Sequence, residues 1–327
     1  MKAWQVSEYG APEQVLQLAD VTLPAPGPGE LRLRVLAAGL GLPDVMMCGG
    51  GYEFRPDLPF TPGQEVCGEV LAVGEGVSYQ PGQRLCGVTA FYNGHGGFAE
   101  ETLSSQDMLY PVPESMPAVQ AAGFSIPFQT AWAALVERGA MQPGETLVVL
   151  GAAGGSGAAA VELGHALGAR VIAVAAGAER SSACLEYGAD VAIDYRAEDV
   201  VERVMQVTKG SGADLVFDPV GGAACEQAVD YLAPRGRILM IGFASGKTGH
   251  PSGRKLLLAN ASLLGVFVGA YSPAERQALH ASLLTLFESG QIDPRPGAQL
   301  TFSEIPSGLA QLAARGSTGK LVALLDS

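Results

Sequence analysis

Beyond residue 140 the chain alternates between two apolar rhythms. Near-continuous apolar runs at 146–150, 170–175, 191–195, 214–218, 237–243 and 262–268 have the length and aliphatic content of buried strands. Between them, residues 155–167, 179–187, 198–208 and 223–232 read as helices. This strand–helix alternation predicts an α/β fold, a doubly wound parallel sheet covered on both faces. The first third has a different rhythm. Leu31-Arg32-Leu33-Arg34-Val35 alternates apolar and polar, a valine-rich run at 65–74 ends on Gly74, and Gln80-Pro81-Gly82-Gln83 turns the chain into a strand at 84–88. Short strands with Gly and Pro turns predict a small barrel-like β domain. Helices at 119–139, closed by Gly139, connect the two regions. An amphipathic helix at 273–289, with Ala278, Leu279, Leu283 and Leu286 on one face, and a strand-like end at 320–325 complete the pattern.

Composition narrows the classes of protein this can be. A chain of 327 residues fits about two domains, and 48% hydrophobic against 16% charged residues excludes a disordered chain. The net charge of −13 argues against a nucleic-acid partner, which needs a basic surface. The five cysteines are odd in number and form no Cys-x-x-Cys, so neither a disulfide framework nor a zinc finger is expected. Reduced thiols point to the cytoplasm. No apolar segment follows Met1-Lys2, and the longest apolar stretch, 256–270, is interrupted by Asn260, Ser262, Gly265 and Gly269; no signal peptide and no membrane partner are expected.

The densest local signal is Leu150-Gly151-Ala152-Ala153-Gly154-Gly155-Ser156-Gly157, a strand running through a glycine-rich turn into a helix. This is the setting of a dinucleotide fingerprint, in which small residues let the backbone approach a pyrophosphate at a helix N-terminus. The first glycine position holds Ala152; the plain alternative is an ordinary strand–helix turn. The second strand ends Val174-Ala175-Ala176-Gly177, without the acid that usually holds the ribose hydroxyls of NAD. Arg180, with Tyr195 or Arg196 after the third strand, is placed to meet a 2′-phosphate, which favours NADPH over NADH; Glu179 argues the other way. The turns at 218–222, with Val220, and 242–246, with Phe243, fall at carboxyl ends of strands, where such sheets bind ligands.

The ordered motifs Pro62-Gly63-Gln64-Glu65 through Gly68-Glu69-Val70, Gly96-Gly97-Phe98-Ala99-Glu100, residues 151–157 and Thr318-Gly319-Lys320 resemble the quinone oxidoreductase (zeta-crystallin-like) branch of the medium-chain dehydrogenase/reductase superfamily. The resemblance spans essentially the whole chain. It implies a GroES-like β domain at 1–122 and 267–327, a Rossmann domain at 123–266 that binds NADPH, and a homodimer through edge strands of the nucleotide domain. It also implies that Ala153, Gly154, Gly155, Ser156 and Gly157 bind the cofactor, with Thr130, Phe267 and Val268 near the nicotinamide. Zinc alcohol dehydrogenases of the same superfamily carry ligands at positions that here read Gly41, Gln64 with Glu65, and Ile126, and the structural-zinc loop is missing, so no zinc is expected.

Without a metal the small-molecule acceptor must itself be electron-poor, a quinone or an α,β-unsaturated carbonyl. Tyr52 occupies the place of a tyrosine that enoyl reductases of the superfamily use near the reacting carbon. It is the candidate proton donor, or it only frames the site. Tyr92 or Asn93 is the candidate second polar group. Leu42 and Pro43 stand where quinone reductases often carry polar side chains and are expected to form an apolar wall in a loop after Gly39. The expected activity is NADPH:quinone reduction; the alternatives are an enoyl or alkenal double-bond reductase and a non-catalytic NADPH-binding protein.

Overall fold

The computed structural model describes residues 1–325. Asp326 and Ser327, the last two positions of the expected GroES-like tail, lie outside the described residues. The chain divides into two compact units, Met1–Ile126 with Pro294–Ser327, and Pro127–Asp293.

The second unit holds a six-stranded sheet. Its strands are β1 (Thr146–Leu150), β2 (Arg170–Ala175), β3 (Val191–Asp194), β4 (Ala213–Asp218), β5 (Leu232–Met240) and β6 (Ser262–Gly265). All neighbours pair in parallel, in the order β3-β2-β1-β4-β5-β6. This is the doubly wound order anticipated from the alternation, with its switch point between β1 and β4, where such sheets bind dinucleotides. The strand centres are apolar because helices cover the sheet on both faces: Val148, Ile172, Ile193, Val216 and Ile238 have no exposed surface.

Two elements of this unit depart from the sequence reading. Residues 256–259 belong to a short helix, Gly253–Ala259, started by Ser252, whose hydroxyl accepts from Lys255 N. None of its residues is fully buried and Leu256 alone of its leucines packs against the core, so it offers a periodicity argument almost no inward face. The unit also runs on to Asp293, later than the expected boundary at 266. Helix Pro273–Glu288 belongs to it, burying Leu279, His280 and Leu283, and His280 Nδ1 lies 3.3 Å from Gln129 Nε2.

The first unit is built on a sheet whose strands follow the order Ala298–Thr301, Leu321–Leu324, Glu30–Leu40, Glu65–Val73, Arg84–Val88, Leu109–Pro111. Glu101–Ser105 pairs with the start of Glu30–Leu40. The strand Leu321–Leu324 pairs antiparallel with residues 37–40, so the end of the chain completes a sheet begun near its start. One face packs Leu31, Leu33, Leu85, Phe60, Phe98, and Ile305 and Leu309 of helix Ile305–Ala313 into a continuous core.

Candidate active site

In the nucleotide unit, β1 leads into a turn that only small residues can make. Gly151 takes φ +60°. A Cβ on Gly157 would lie 2.2 Å from Gly151 O and 2.8 Å from Ala152 Cα, so the helix can sit against the turn only because Gly157 has no side chain. The helix Gly155–Ala166 starts from Gly154 without a side-chain cap. Its first intrahelical donor is Ala158 N, to Gly154 O at 2.7 Å. The N–H groups of Gly155, Ser156 and Gly157 therefore point out of the helix end with no intrahelical acceptor, a cradle that fits a pyrophosphate. Ala153 is buried beneath it.

The neighbouring strand ends converge on this turn. Val220 Cγ2 is 3.2 Å from where a Gly151 Cβ would stand, and Phe243 Cδ1 is 3.1 Å from the equivalent point on Gly221. Asp218, fully buried, shapes the turn after β4: its Oδ1 accepts from Val220 N and Gly221 N, both at 2.9 Å. Phe243 and Phe267 line one cleft of about 760 Å3 at the ends of β5 and β6, together with Met240, Arg138 and Tyr271. Val268 opens the turn Val268–Ala270 that follows. Thr130 sits half-buried on helix Ser125–Trp132.

The end of β2 has no acid of its own; a carboxylate reaches it from the neighbouring strand, tied through one oxygen to backbone N–H groups. Asp194 Oδ1, at the end of β3, accepts from Gly177 N at 2.8 Å and from Arg196 N at 3.0 Å. These two donors, with the charges of Arg196 and Arg180, hold its carboxyl below the usual carboxylate range. Arg180 Nε donates to Ala176 O at 2.9 Å, which fixes its side chain at the β2 end. Tyr195, half exposed, is tied there through its N–H to Ala175 O. The acid was visible in the sequence, but its reach across to Gly177 is a pairing of neighbouring strands that spacing does not show.

In the first unit Tyr52 and Tyr92 are brought together by Phe91. The Tyr52 and Phe91 rings are 6.4 Å apart, and Phe91 meets Tyr92 edge-on at 5.6 Å. Burial pushes the Tyr52 hydroxyl above the ordinary phenol range; a hydrogen bond with the Gln64 side chain opposes this, and the charges of Asp44 and Glu53 add to it. Tyr52 is therefore a neutral donor at pH 7. Leu42 and Pro43 are half-buried, but they form the first turn of helix Leu42–Cys48 and not a loop. Proline suits that position because the N–H it lacks has no helical acceptor there. Asp44 closes the same helix start, its Oδ2 accepting from Gly41 N at 2.9 Å and its Oδ1 from Gly63 N and Gln64 N at 3.1 and 3.2 Å.

The positions that bear zinc in related enzymes present the wrong donors. Gly41 has no side chain, Ile126 is apolar, and the Gln64 amide is turned to Met47 Sδ at 3.6 Å. Glu65 is engaged from three sides: Oε1 accepts from Ser125 Oγ at 2.9 Å and Ile126 N at 2.7 Å, and Lys320 Nζ lies 2.8 Å from Oε2. Among the described residues no three His, Cys, Asp or Glu side chains gather as a metal site would require. Among them, too, no helix is long and apolar enough to cross a membrane.

A parallel nucleotide unit with a glycine cradle, in one chain with a β unit that clusters Tyr52, Phe91 and Tyr92, defines a dinucleotide-dependent oxidoreductase of the two-unit kind. Residues 27–114 match the alcohol dehydrogenase GroES-like domain, and residues 155–285 match the family described as zinc-binding dehydrogenase. The second match covers only the nucleotide side, away from the zinc positions. The quinone oxidoreductase-like protein 2 homolog of Nematostella vectensis is 35% identical over 301 residues, 90% of this chain and 82% of that one. Human quinone oxidoreductase is 28% identical over 326 residues, 99% of this chain and 98% of its own. A mycobacterial protein solved as a complex with NADPH superposes with a TM-score of 0.90 at 30% identity, covering 99% of this chain and all of that one. The chain belongs to the quinone oxidoreductase branch of the medium-chain dehydrogenase/reductase superfamily.

Proposed function

We propose that this protein is an NADPH-dependent, metal-independent reductase whose acceptors are quinones. The observation that carries the reading is the replacement of the zinc donor set by Gly41, Gln64 and Ile126, which leaves no Lewis acid to polarise an ordinary ketone. An acceptor that is already electron-poor needs only placement and a hydrogen-bond donor. NADPH, when bound, supplies the hydride. The chain's own residues do the rest. The N–H groups of residues 155–157 hold the pyrophosphate, and Arg180, fixed at Ala176 O, meets the 2′-phosphate. Phe243, Phe267 and Val268 supply an apolar surface for the nicotinamide end, with Thr130 beside it, and Tyr52, Tyr92, Leu42 and Pro43 frame the acceptor. The Escherichia coli quinone oxidoreductase, solved with NADPH, supports the cofactor choice at 25% identity and a TM-score of 0.89.

Tyr52 favours a second reading. A neutral hydroxyl in an aromatic pocket also suits a reductase of alkenals or enones, where it donates a proton as the double bond is reduced. Steady-state oxidation of NADPH and NADH against 9,10-phenanthrenequinone, a benzoquinone and a long alkenal separates the two. Quinone turnover with preference for NADPH is expected. Turnover with the alkenal alone moves the assignment to double-bond reduction, and binding of NADPH with no turnover on any acceptor overturns both. In Tyr52→Phe, a loss of kcat of about 100-fold or more identifies a proton donor, whereas near-normal kcat with raised KM identifies a framing residue.

The reading includes a homodimer in the cytoplasm. β6 is the outer strand of its sheet, and Leu263 on it is exposed, as are Leu257 and Leu258 on the adjacent helix. An apolar sheet edge of this kind is satisfied by a second copy of itself. All five cysteines are free and buried, in keeping with a reducing compartment.

A further inference from the structure

Two of the five cysteines face each other across the β unit's sheet. Where Glu65–Val73 runs antiparallel to Arg84–Val88, the register sets Cys67 directly opposite Cys86. Thr89 N donates to Gln64 O and Val70 N to Gln83 O, which marks both of those positions as hydrogen-bonded pairs. Such pairs alternate along the register, so Cys67–Cys86 is a pair of the other kind, in which opposed side chains lie closer. Its Cα atoms are about 4.5 Å apart with both side chains on one face, inside the roughly 4.4–6.8 Å that a disulfide spans. The strands cannot easily splay apart: Ala37 pairs beyond Cys67 and Tyr110 beyond Cys86. Cys48, Cys184 and Cys225 all lie on helices, with no cysteine opposed to them.

We propose that Cys67 and Cys86 form a dithiol modification site that closes to an intramolecular disulfide when the folded protein meets a peroxide. Both thiols are buried, which excludes bulky reagents and slows even a small oxidant, so the reaction depends on the closeness of the two sulfurs. Burial drives both thiols up, Cys67 to about 12. The Arg84 charge works against this at both, and the chemistry is the same whichever sulfur is oxidised first. Starting from Cys67, the thiolate attacks a peroxide oxygen, the O–O bond breaks, and the leaving hydroxide takes up the thiol proton as water. The Cys86 sulfur then attacks the sulfenic sulfur of Cys67, the S–O bond breaks, and a second water leaves with the Cys86 proton. Two thiols and one peroxide give one disulfide and two waters, with two electrons passing from sulfur to oxygen. The bond joins the strand that begins with Glu65, directly after Gln64, to the strand that leads into Phe91 and Tyr92.

The test uses the full chain, fully reduced and then exposed to hydrogen peroxide in native buffer. Remaining thiols are alkylated in denaturant, and the peptides are mapped without reduction. Two of the five thiols should become unavailable, with a single cross-linked peptide pair joining Cys67 to Cys86. In Cys67→Ser the link should vanish. A variant with Cys48, Cys184 and Cys225 all replaced by alanine should still form it. The proposal is overturned if both cysteines remain alkylatable after peroxide, or if the linked pair is another one. The wild-type mapping stands without any variant, and it involves no acceptor, so it succeeds or fails independently of the reductase reading.

Discussion

Lys320 reaches Glu65 by crossing two glycines. A Cβ on Gly39 would lie 2.8 Å from Lys320 Cε, and one on Gly123 3.1 Å from Lys320 Cγ. The Thr318-Gly319-Lys320 motif is thus explained by packing and charge: the lysine stem fills the slot and its ammonium meets a carboxylate that is 1% exposed. Lys320→Met keeps the stem and strands the buried charge. It should cost about 3–5 kcal/mol, seen as a lower urea midpoint with unchanged slope. Gly157→Ala belongs to the same scale. Its methyl would meet Gly151 O, so the turn must open, and NADPH affinity should fall at least tenfold by fluorescence titration while the far-UV spectrum is retained. Wild-type affinity in that variant would mean that the turn is not the pyrophosphate site. Of these residues, the glycine was legible from the motif alone. The partner of Lys320 was not, because Glu65 is 255 positions away and only the folded sheet brings them together.

Helix Pro273–Glu288 starts with a reciprocal cap in which Ser272 Oγ accepts from Glu275 N and Glu275 Oε2 accepts from Ser272 N. It buries His280, whose imidazole is pushed down to about 4 by burial. In the folded protein the ring stays neutral, whereas in the unfolded chain it takes a proton near 6.5. Stability is therefore fully present above pH 6.5 and declines as the pH falls from there toward 4, by on the order of 3 kcal/mol. His280→Gln should flatten this part of the curve in urea unfolding at several pH values; a curve identical to wild type would show that His280 is not the responsible group. The element pattern was legible where strands are apolar on both faces, as in β1, β2 and β4. It failed for Gly253–Ala259, whose Leu257 and Leu258 are 75% and 72% exposed and so carry no sign of a buried side. Helix Leu42–Cys48 was hidden for another reason: its start is held by Asp44 accepting from Gly63 and Gln64, residues outside the helix itself.

For the whole molecule, the proposed dimer makes a direct prediction. Leu263→Lys places a charge on the exposed edge of β6 and should shift the protein from dimer to monomer in sedimentation equilibrium, with NADPH binding retained. A wild-type chain that is monomeric at micromolar concentration would remove the dimer from the reading. The two-unit plan was legible as a change of rhythm near residue 120, and the change does fall close to the observed division after Ile126. The return point falls later than expected, because an amphipathic helix at 273–289 reads the same whichever unit it covers, and only the folded chain assigns it to Pro127–Asp293.

The strand Leu321–Leu324 lies between Ala298–Thr301 and Glu30–Leu40 in the same sheet. During synthesis the ribosome therefore delivers the last piece of the first unit only after every residue of Pro127–Asp293 has been made. The nucleotide unit, contiguous in sequence, can finish folding while its predecessor still waits with an open sheet edge. The usual order of maturation along a nascent polypeptide is reversed. The exposed edge of Glu30–Leu40 during that interval is the place where a chaperone would be needed most.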